Sequence, residues 1–250
     1  MIHFIGAGPG APDLLTLRAV RLIAESPVCL YAGSLVPDEV LGHCHDGAHV
    51  VDTRHLDLDE ITAELVRAHE RGLDVARLCS GDPSVFSAVA EQTRRLDAAG
   101  VPWQIVPGVP AFAAAAAALG RELTAPGVSQ AVTLTRIARR ATPMPPGQSL
   151  SELAAGRPTL VLHLAVQAID EVAAELVPLY GADCPAAVVA YASRPDELVL
   201  RAPLGALAAE VTRAGIRRTA VIVVGDVLGD PDECRVESHL YSPARARPER

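Results

Sequence analysis

Short aliphatic runs alternate with amphipathic stretches along most of this chain, and that rhythm restricts its fold more than any other feature. Ile2–Ile5, Val28–Tyr31, Val50–Asp52, Val75–Cys79 and Trp103–Val106 read as strands, each aliphatic, brief and bounded by turn residues. Leu14–Ala24, Asp59–Glu70 and Ser84–Ala98 read as helices between them. In the second of these, Ile61, Leu65 and Val66 fall on one side, Glu60, Glu64 and Arg67 on the other, and Gly72 ends the run. Strand-helix-strand alternation implies a parallel or mostly parallel sheet, because successive parallel strands need a crossover that a helix supplies.

Pro107-Gly108-Val109-Pro110 interrupts the pattern, and Ala111–Leu119 follows as a helix with almost no long side chains. Something must pack closely against so bare a surface. The alternation then restarts. Ala131–Thr135, Thr159–Leu164, Ala186–Tyr191, Glu197–Arg201 and Ala220–Val224 read as strands, and Leu150–Ala155, Gln167–Leu176 and Leu204–Ala214 as helices. The expected fold class is α/β. Two α/β domains are expected, residues 1–115 and 116–232, each a mostly parallel or mixed sheet flanked by helices. An active-site cleft is expected between them, and a Pro- and Arg-rich tail over 233–250.

Composition removes several chemistries. Half of the 250 residues are hydrophobic and only 3% are aromatic, so the core is built from small aliphatic contacts. Every basic residue is Arg. A Schiff-base lysine and a Walker A lysine are therefore excluded, and the absence of Asn excludes N-glycosylation. A net charge of −8 disfavours general nucleic-acid binding. No window is apolar enough for a membrane span, and no basic-then-apolar leader opens the chain, so the expectation is a cytoplasmic protein. Cys29, Cys44, Cys79, Cys184 and Cys234 are odd in number and form no C-x-x-C pair, as in a reducing compartment. His43-Cys44-His45, with His49 and His55 beyond, lacks a ligand spacing and reads as a polar loop rather than a metal site.

Three small-residue turns carry the chemistry. Gly6-Ala7-Gly8-Pro9-Gly10-Ala11 formally fits the dinucleotide pattern G-x-G-x-x-G/A. Pro9 and Pro12 each remove one of the N–H donors such a loop aims at a pyrophosphate, and the second strand ends without a ribose-binding acid. A tight structural turn is the competing reading. Ser80-Gly81-Asp82-Pro83 follows the fourth strand, where Asp82 is either a plain helix cap or a ligand carboxylate. Val106-Pro107-Gly108-Val109-Pro110-Ala111 is either a linker or the floor of a ligand cleft.

With these turns in order, the chain resembles the tetrapyrrole methylase family. The resemblance lies in GAGPGAPDLLTLRA (Gly6–Ala19), YAGSLV (Tyr31–Val36), SGDPSVF (Ser80–Phe86) and IVPGVPAFAAAAAALG (Ile105–Gly120). It continues through LVLHLA (Leu160–Ala165), PDELVLRAPL (Pro195–Leu204) and AVIVVGDVLG (Ala220–Gly229), so that it spans residues 2–229. Within the family, Tyr31–Val36, Thr135-Arg136 with Thr142–Pro145, and Glu237–Pro243 resemble the branch that methylates C11 of a corrin precursor. Ala11 stands where the family usually has Asp, and Ala138 where this branch often has Gly.

The resemblance implies an S-adenosylmethionine (SAM)-dependent C-methyltransferase of cobalamin (corrin) biosynthesis, active as a homodimer. Its small-molecule substrate would be a tetrapyrrole, and no nucleic acid or membrane partner is expected. It assigns the cofactor to Pro9, Ser80, Gly81, Asp82, Val85, Pro110, Ala111, Leu164, Tyr191, Ala192, Thr219 and Ala220. A macrocycle bearing several carboxylates needs guanidinium groups, which grip carboxylates bidentately. Arg54, Arg136, Arg139, Arg140 and Arg194 follow strands and are the substrate-binding candidates, each competing with a reading as a solvated surface Arg. Tyr31 and Ser34 are the catalytic candidates, with a satisfied core tyrosine as the alternative for Tyr31. A dedicated base is not required by the chemistry. Other branches of the family, a cobalt-bound substrate, a noncatalytic SAM-binding protein and a nicotinamide oxidoreductase are the rival readings.

Overall fold

The first sheet is built from β1 (Ile2–Gly6), β2 (Val28–Tyr31), β3 (His49–Asp52), β4 (Val75–Cys79) and β5 (Trp103–Val106), ordered β3-β2-β4-β1-β5 and parallel throughout. The computed structural model describes residues 1–138, 142–230 and 238–239. Ile5, Cys29, Ala76, Leu78 and Val106 face one apolar layer, closed by Ala19, Leu22 and Ile23 of α1 (Leu17–Glu25) and by Val40 of α2 (Asp38–Leu41). Phe4, Leu30, Val75 and Cys79 face the other, closed by Leu65 of α3 (Leu58–Glu70) and Leu96 of α4 (Val89–Ala98). A sheet covered on both faces makes its central strands apolar on both sides, and β1 and β4 are buried at every position.

Capping sets several helix ends. The Thr16 side chain accepts from the Ala19 N–H, so α1 starts at Leu17 and not at Leu14; Pro12–Leu14 is a separate 3-10 turn. Asp57 and Glu60 form a capping box ahead of α3. The helix expected from Ser84 starts only at Val89, because Ala88 adopts a left-handed φ of 51° and the preceding amides serve a turn.

After α5 (Ala111–Leu119), a second sheet forms from β6 (Val132–Arg136), β7 (Thr159–His163), β8 (Pro185–Ala190), β9 (Leu198–Pro203) and β10 (Ala220–Val224). Its order is β6-β7-β10-β8-β9. Only β6 and β7 are parallel, and β10 runs antiparallel to both its neighbours. Helices α6 (Leu150–Ala154), α7 (Ile169–Tyr180) and α8 (Leu204–Arg213) complete this part. Helix α7 outruns the expected end at Leu176 despite Pro178, and the buried Tyr180 hydroxyl ties its last turn to the Pro158 carbonyl at 2.7 Å.

The chain divides into two compact units: residues Met1–Ala114 with Tyr191–Asp196, and Ala115–Ala190 with Glu197 onward. A linear partition of the sequence cannot express the return of Tyr191–Asp196 to the first unit. The expected 233–250 tail lies outside the described residues apart from 238 and 239.

Candidate active site

In the first sheet β1 connects through α1 on one face, and its neighbour β4 connects through α4 on the other. The chain therefore diverges between these two strands, and open α/β sheets bind ligands at the carboxyl ends of such a pair. The three small-residue turns meet there. Gly8 and Gly81 form an antiparallel bridge, with Gly81 N–H donating to the Gly8 carbonyl at 2.8 Å and Gly8 N–H to the Gly81 carbonyl at 3.2 Å. The turn after β5 closes on them from the other side. A Cβ on Gly108 would lie 2.5 Å from the Gly81 oxygen and 2.7 Å from the Gly6 Cα. These contacts are backbone on backbone, so no side-chain motion relieves them.

Asp82 clamps the assembly. Its Oδ2 accepts the Gly108 N–H at 2.7 Å, and its Oδ1 accepts the Ser84 N–H at 2.8 Å and the Ser84 hydroxyl. The plain helix cap is thereby overturned, since α4 starts at Val89 and Asp82 binds β5's turn instead. Burial alone would raise its pKa. The hydrogen bonds from the Ser84 hydroxyl, the Gly108 N–H and the Ser84 N–H outweigh it and hold the carboxyl below its ordinary value. Pro9 is buried beside the bridge, Val85 N–H returns to the Asp82 carbonyl at 3.2 Å, and Pro110 and Ala111 lie within 4 Å of where a Gly81 Cβ would stand.

A second group gathers at the end of β2. Tyr31 is half-buried, and Ser34 is exposed on the Gly33–Leu35 turn. Neither side-chain hydroxyl has a hydrogen-bond partner among the described residues. Two arginines far apart in sequence flank this turn. The Arg54 Nε lies 3.0 Å from where a Gly33 Cβ would stand, while its head pairs with Asp52. The Arg194 guanidinium reaches the Ser34 carbonyl at 3.5 Å, the Asp196 carboxylate at 3.4 Å and the Tyr191 ring. The Arg194 stem crosses Gly10, where a Cβ would meet it at 2.3 Å, and Ser193 Oγ accepts the Ala11 N–H at 3.0 Å. An open cavity of about 570 Å³ lies here, lined by Gly10–Pro12, Pro37, Glu39 and Ser193–Asp196.

The other candidates belong to the second unit. Because β10 is antiparallel to β7 and β8, Leu164 after β7 shares one end of that sheet with Thr219 and Ala220, and Ala220 pairs with Ala190, the residue before Tyr191. Arg136 ends β6 and donates to the Thr142 carbonyl at 2.9 Å. Arg139 and Arg140 lie outside the described residues. Among the described residues no group of three His, Cys, Asp or Glu side chains could hold a metal ion. Cys44 of the His-rich loop packs instead on the apolar layer that contains Cys29.

Backbone strain marks these positions independently. The described non-glycine residues with left-handed φ are Phe86, Ala88, Leu164, Tyr191, Ser193 and Thr219, with Arg157 standing apart. All but Arg157 coincide with, or lie within a few positions of, residues that the resemblance assigns to the cofactor. Such strain persists only where surrounding structure imposes it, and it concentrates at ligand sites. Residue-type patterns could not reveal it, because Leu, Tyr and Thr carry no sequence signal for φ above zero.

A family model for tetrapyrrole (corrin/porphyrin) methylases matches residues 1–208. The chain belongs to that family. A Rhodococcus erythropolis protein named precorrin-4 C(11)-methyltransferase is 60% identical over 249 residues, covering 98% of each chain. The X-ray structure of a cobalamin biosynthetic enzyme, cobalt precorrin-4 methyltransferase, superposes on this methylase with a TM-score of 0.88. The two are 37% identical, and the match covers 92% of this chain and 96% of that one. A uroporphyrin-III C-methyltransferase from Thermus thermophilus, crystallised with S-adenosylhomocysteine, matches with a TM-score of 0.77 at 31% identity, over 91% of this chain and 93% of its own. Among the described residues no helix is long and apolar enough to cross a membrane.

Proposed function

We propose that this methylase transfers a methyl group from SAM to C11 of precorrin-4, giving precorrin-5 in cobalamin biosynthesis. The observation that carries the reading is the 60% identity, end to end, with a precorrin-4 C(11)-methyltransferase. The cobalt-precorrin enzyme shares 37%, which favours a metal-free macrocycle over a cobalt-bound one.

When bound, SAM supplies a methyl group activated by its adjacent sulfonium. The residues present fit such a donor. A thiolate beside it would itself be alkylated, and burial pushes the Cys79 thiol, next to the turn, up to about 11, so that it stays protonated. The Asp82 carboxylate is occupied by three internal donors and holds the turns in place. Pro9, Ser80, Gly81, Val85, Pro110, Ala111, Tyr191 and Ala192 of the first unit offer SAM small surfaces. Leu164, Thr219 and Ala220 are the residues we assign to it on the second.

Arg54 and Arg194 would exchange their present partners, Asp52 and Asp196, for carboxylates of the macrocycle. Arg136, Arg139 and Arg140 are the residues we assign to macrocycle carboxylates on the second unit. Tyr31 and Ser34 offer hydroxyls that can hydrogen-bond the ring or assist the proton loss that accompanies methylation. Positioning of the ring carbon against the methyl supplies the acceleration, without a nucleophilic side chain. The enzyme is proposed to work in the cytoplasm as a homodimer.

The test is incubation with methyl-labelled SAM and precorrin-4, with the label located by NMR. Label at C11 is expected. Label at another carbon refutes the position, and SAM binding without transfer to any tetrapyrrole supports the noncatalytic alternative.

A further inference from the structure

Arg77 is the one charged residue on β4, a strand buried along its whole length. Alternation puts it on the face of Val75 and Cys79, inside the apolar layer under α3 and α4. Its guanidinium meets two neutral acceptors, Gln92 Oε1 at 3.1 Å and Thr53 Oγ1 at 3.2 Å, and no carboxylate among the described residues. Burial works against its charge. A cation placed so, without a carboxylate partner, is costly to bury. Stability alone does not account for an arginine here.

Its two partners supply a reason. Thr53 reaches the Tyr31 carbonyl twice, through its hydroxyl at 2.9 Å and its N–H at 2.8 Å. The hydroxyl thus accepts from Arg77 and donates to the end of β2, where Tyr31 opens the rim flanked by Arg54 and Arg194. Gln92 accepts through Oε1 and donates through Nε2 to the Ala88 carbonyl at 2.9 Å. Ala88 is one of the strained residues closing the segment that begins at Ser80. One buried fork therefore grips both groups of candidate site residues from beneath.

We propose that Arg77 is a positioning residue that locks the Ser80–Ala88 turn, through Gln92, and the Tyr31–Leu35 rim, through Thr53, in a fixed relation. The inference rests on the methyltransferase reading for the identity of the two ligands. The Gln92 arm governs SAM, and the Thr53 arm governs the macrocycle.

The experiment compares Arg77→Met, Thr53→Val and Gln92→Met, measuring melting temperature, SAM Kd by calorimetry, and macrocycle KM at saturating SAM. Arg77→Met is expected to fold and to raise both constants about tenfold. Thr53→Val should raise the macrocycle KM alone, and Gln92→Met the SAM Kd alone. Arg77→Lys should recover less than the full effect, since an ammonium lacks the rigid fork that holds both acceptors. Both constants staying within about twofold of wild type in Arg77→Met would overturn the proposal. So would folded Thr53 and Gln92 variants whose constants do not move or move together. If Arg77→Met does not fold, the two neutral variants decide alone. The wild type run alongside separates the two ideas: absent turnover with precorrin-4 sinks the function, while a lost split with intact turnover sinks the role of Arg77. Hydrogen exchange at the Leu35 and Val36 amides reads the Thr53 arm without substrate, and exchange there unchanged by Thr53→Val counts against it.

Discussion

Gly108→Ala tests whether the three turns act as one object. The added methyl would stand 2.5 Å from the Gly81 oxygen, where ordinary contact begins at 3.4 Å, and 2.7 Å from the Gly6 Cα. Both obstacles are backbone, so one turn must retreat by close to an ångström. Overpacking of this kind costs about 1–3 kcal/mol. For a chain of this size that is a fall of about 2–12 °C in melting temperature. The retreat also pulls the Gly108 N–H away from Asp82, now 2.7 Å distant, and misplaces the Ser80–Asp82 turn. Losing one or two hydrogen bonds to SAM, about 1–3 kcal/mol, weakens its Kd by about 5–150-fold. Gly100→Ala is the control. Gly100, unlike Gly108, has a positive φ, 67°, and a Cβ there meets nothing within 4 Å. It should lose about 1–2 kcal/mol of stability from the backbone conformation and leave SAM affinity intact. Calorimetry on the three proteins decides. The reasoning fails if Gly108→Ala binds SAM like the wild type, or if Gly100→Ala weakens binding to the same degree.

Asp82→Ala removes the clamp and should weaken SAM binding about tenfold or more while the chain still folds; unchanged affinity by calorimetry sinks the assignment. Because the folded pKa of Asp82 lies below its ordinary 3.8, its contribution to stability is fully present above 3.8 and is lost as pH falls through the folded value. The wild type should therefore lose more stability than Asp82→Ala on acidification through that window, and parallel acid melts would contradict the clamp. Arg136→Ala should raise macrocycle KM about tenfold and leave SAM Kd alone, and loss of SAM binding would show that its role is misassigned. Among Cys29, Cys44, Cys79 and Cys184, peptide mapping after limited alkylation should find Cys44 modified first. It is half-buried and its thiol is shifted downward by the hydrogen bond from Cys29, whereas burial pushes Cys79 and Cys184 each up to about 11. Earlier labelling of Cys79 would contradict this order.

The positions of β2, β4, β5, α5 and β10 are those read from the sequence. Each is a short aliphatic run, or an Ala-rich one, closed at both ends by turn residues or a charge. The limits of α1, α4 and α7 are not, because they depend on which amides a cap or a turn has already taken. Among site residues, the glycine turns were legible because a missing side chain is itself a signal. Arg77, Thr53 and Ser193 were not, since nothing in their type separates a buried arginine or a bonded hydroxyl from the surface kind.

Periodicity along one chain reports which positions are buried, and the spacing of Gly and Pro reports where the backbone turns; those two quantities were enough for α/β alternation and for the turns of a methylase. Neither carries the direction of a strand relative to its neighbour, which is why the mixed pairing around β10 emerged only in three dimensions. The same holds for the return of Tyr191–Asp196 to the first unit, and for the approach of Arg54 to Gly33 and of Arg194 to Ser34. These depend on hydrogen bonds and contacts between residues distant in sequence, and only the packed fold decides which of the many possible partners each group receives.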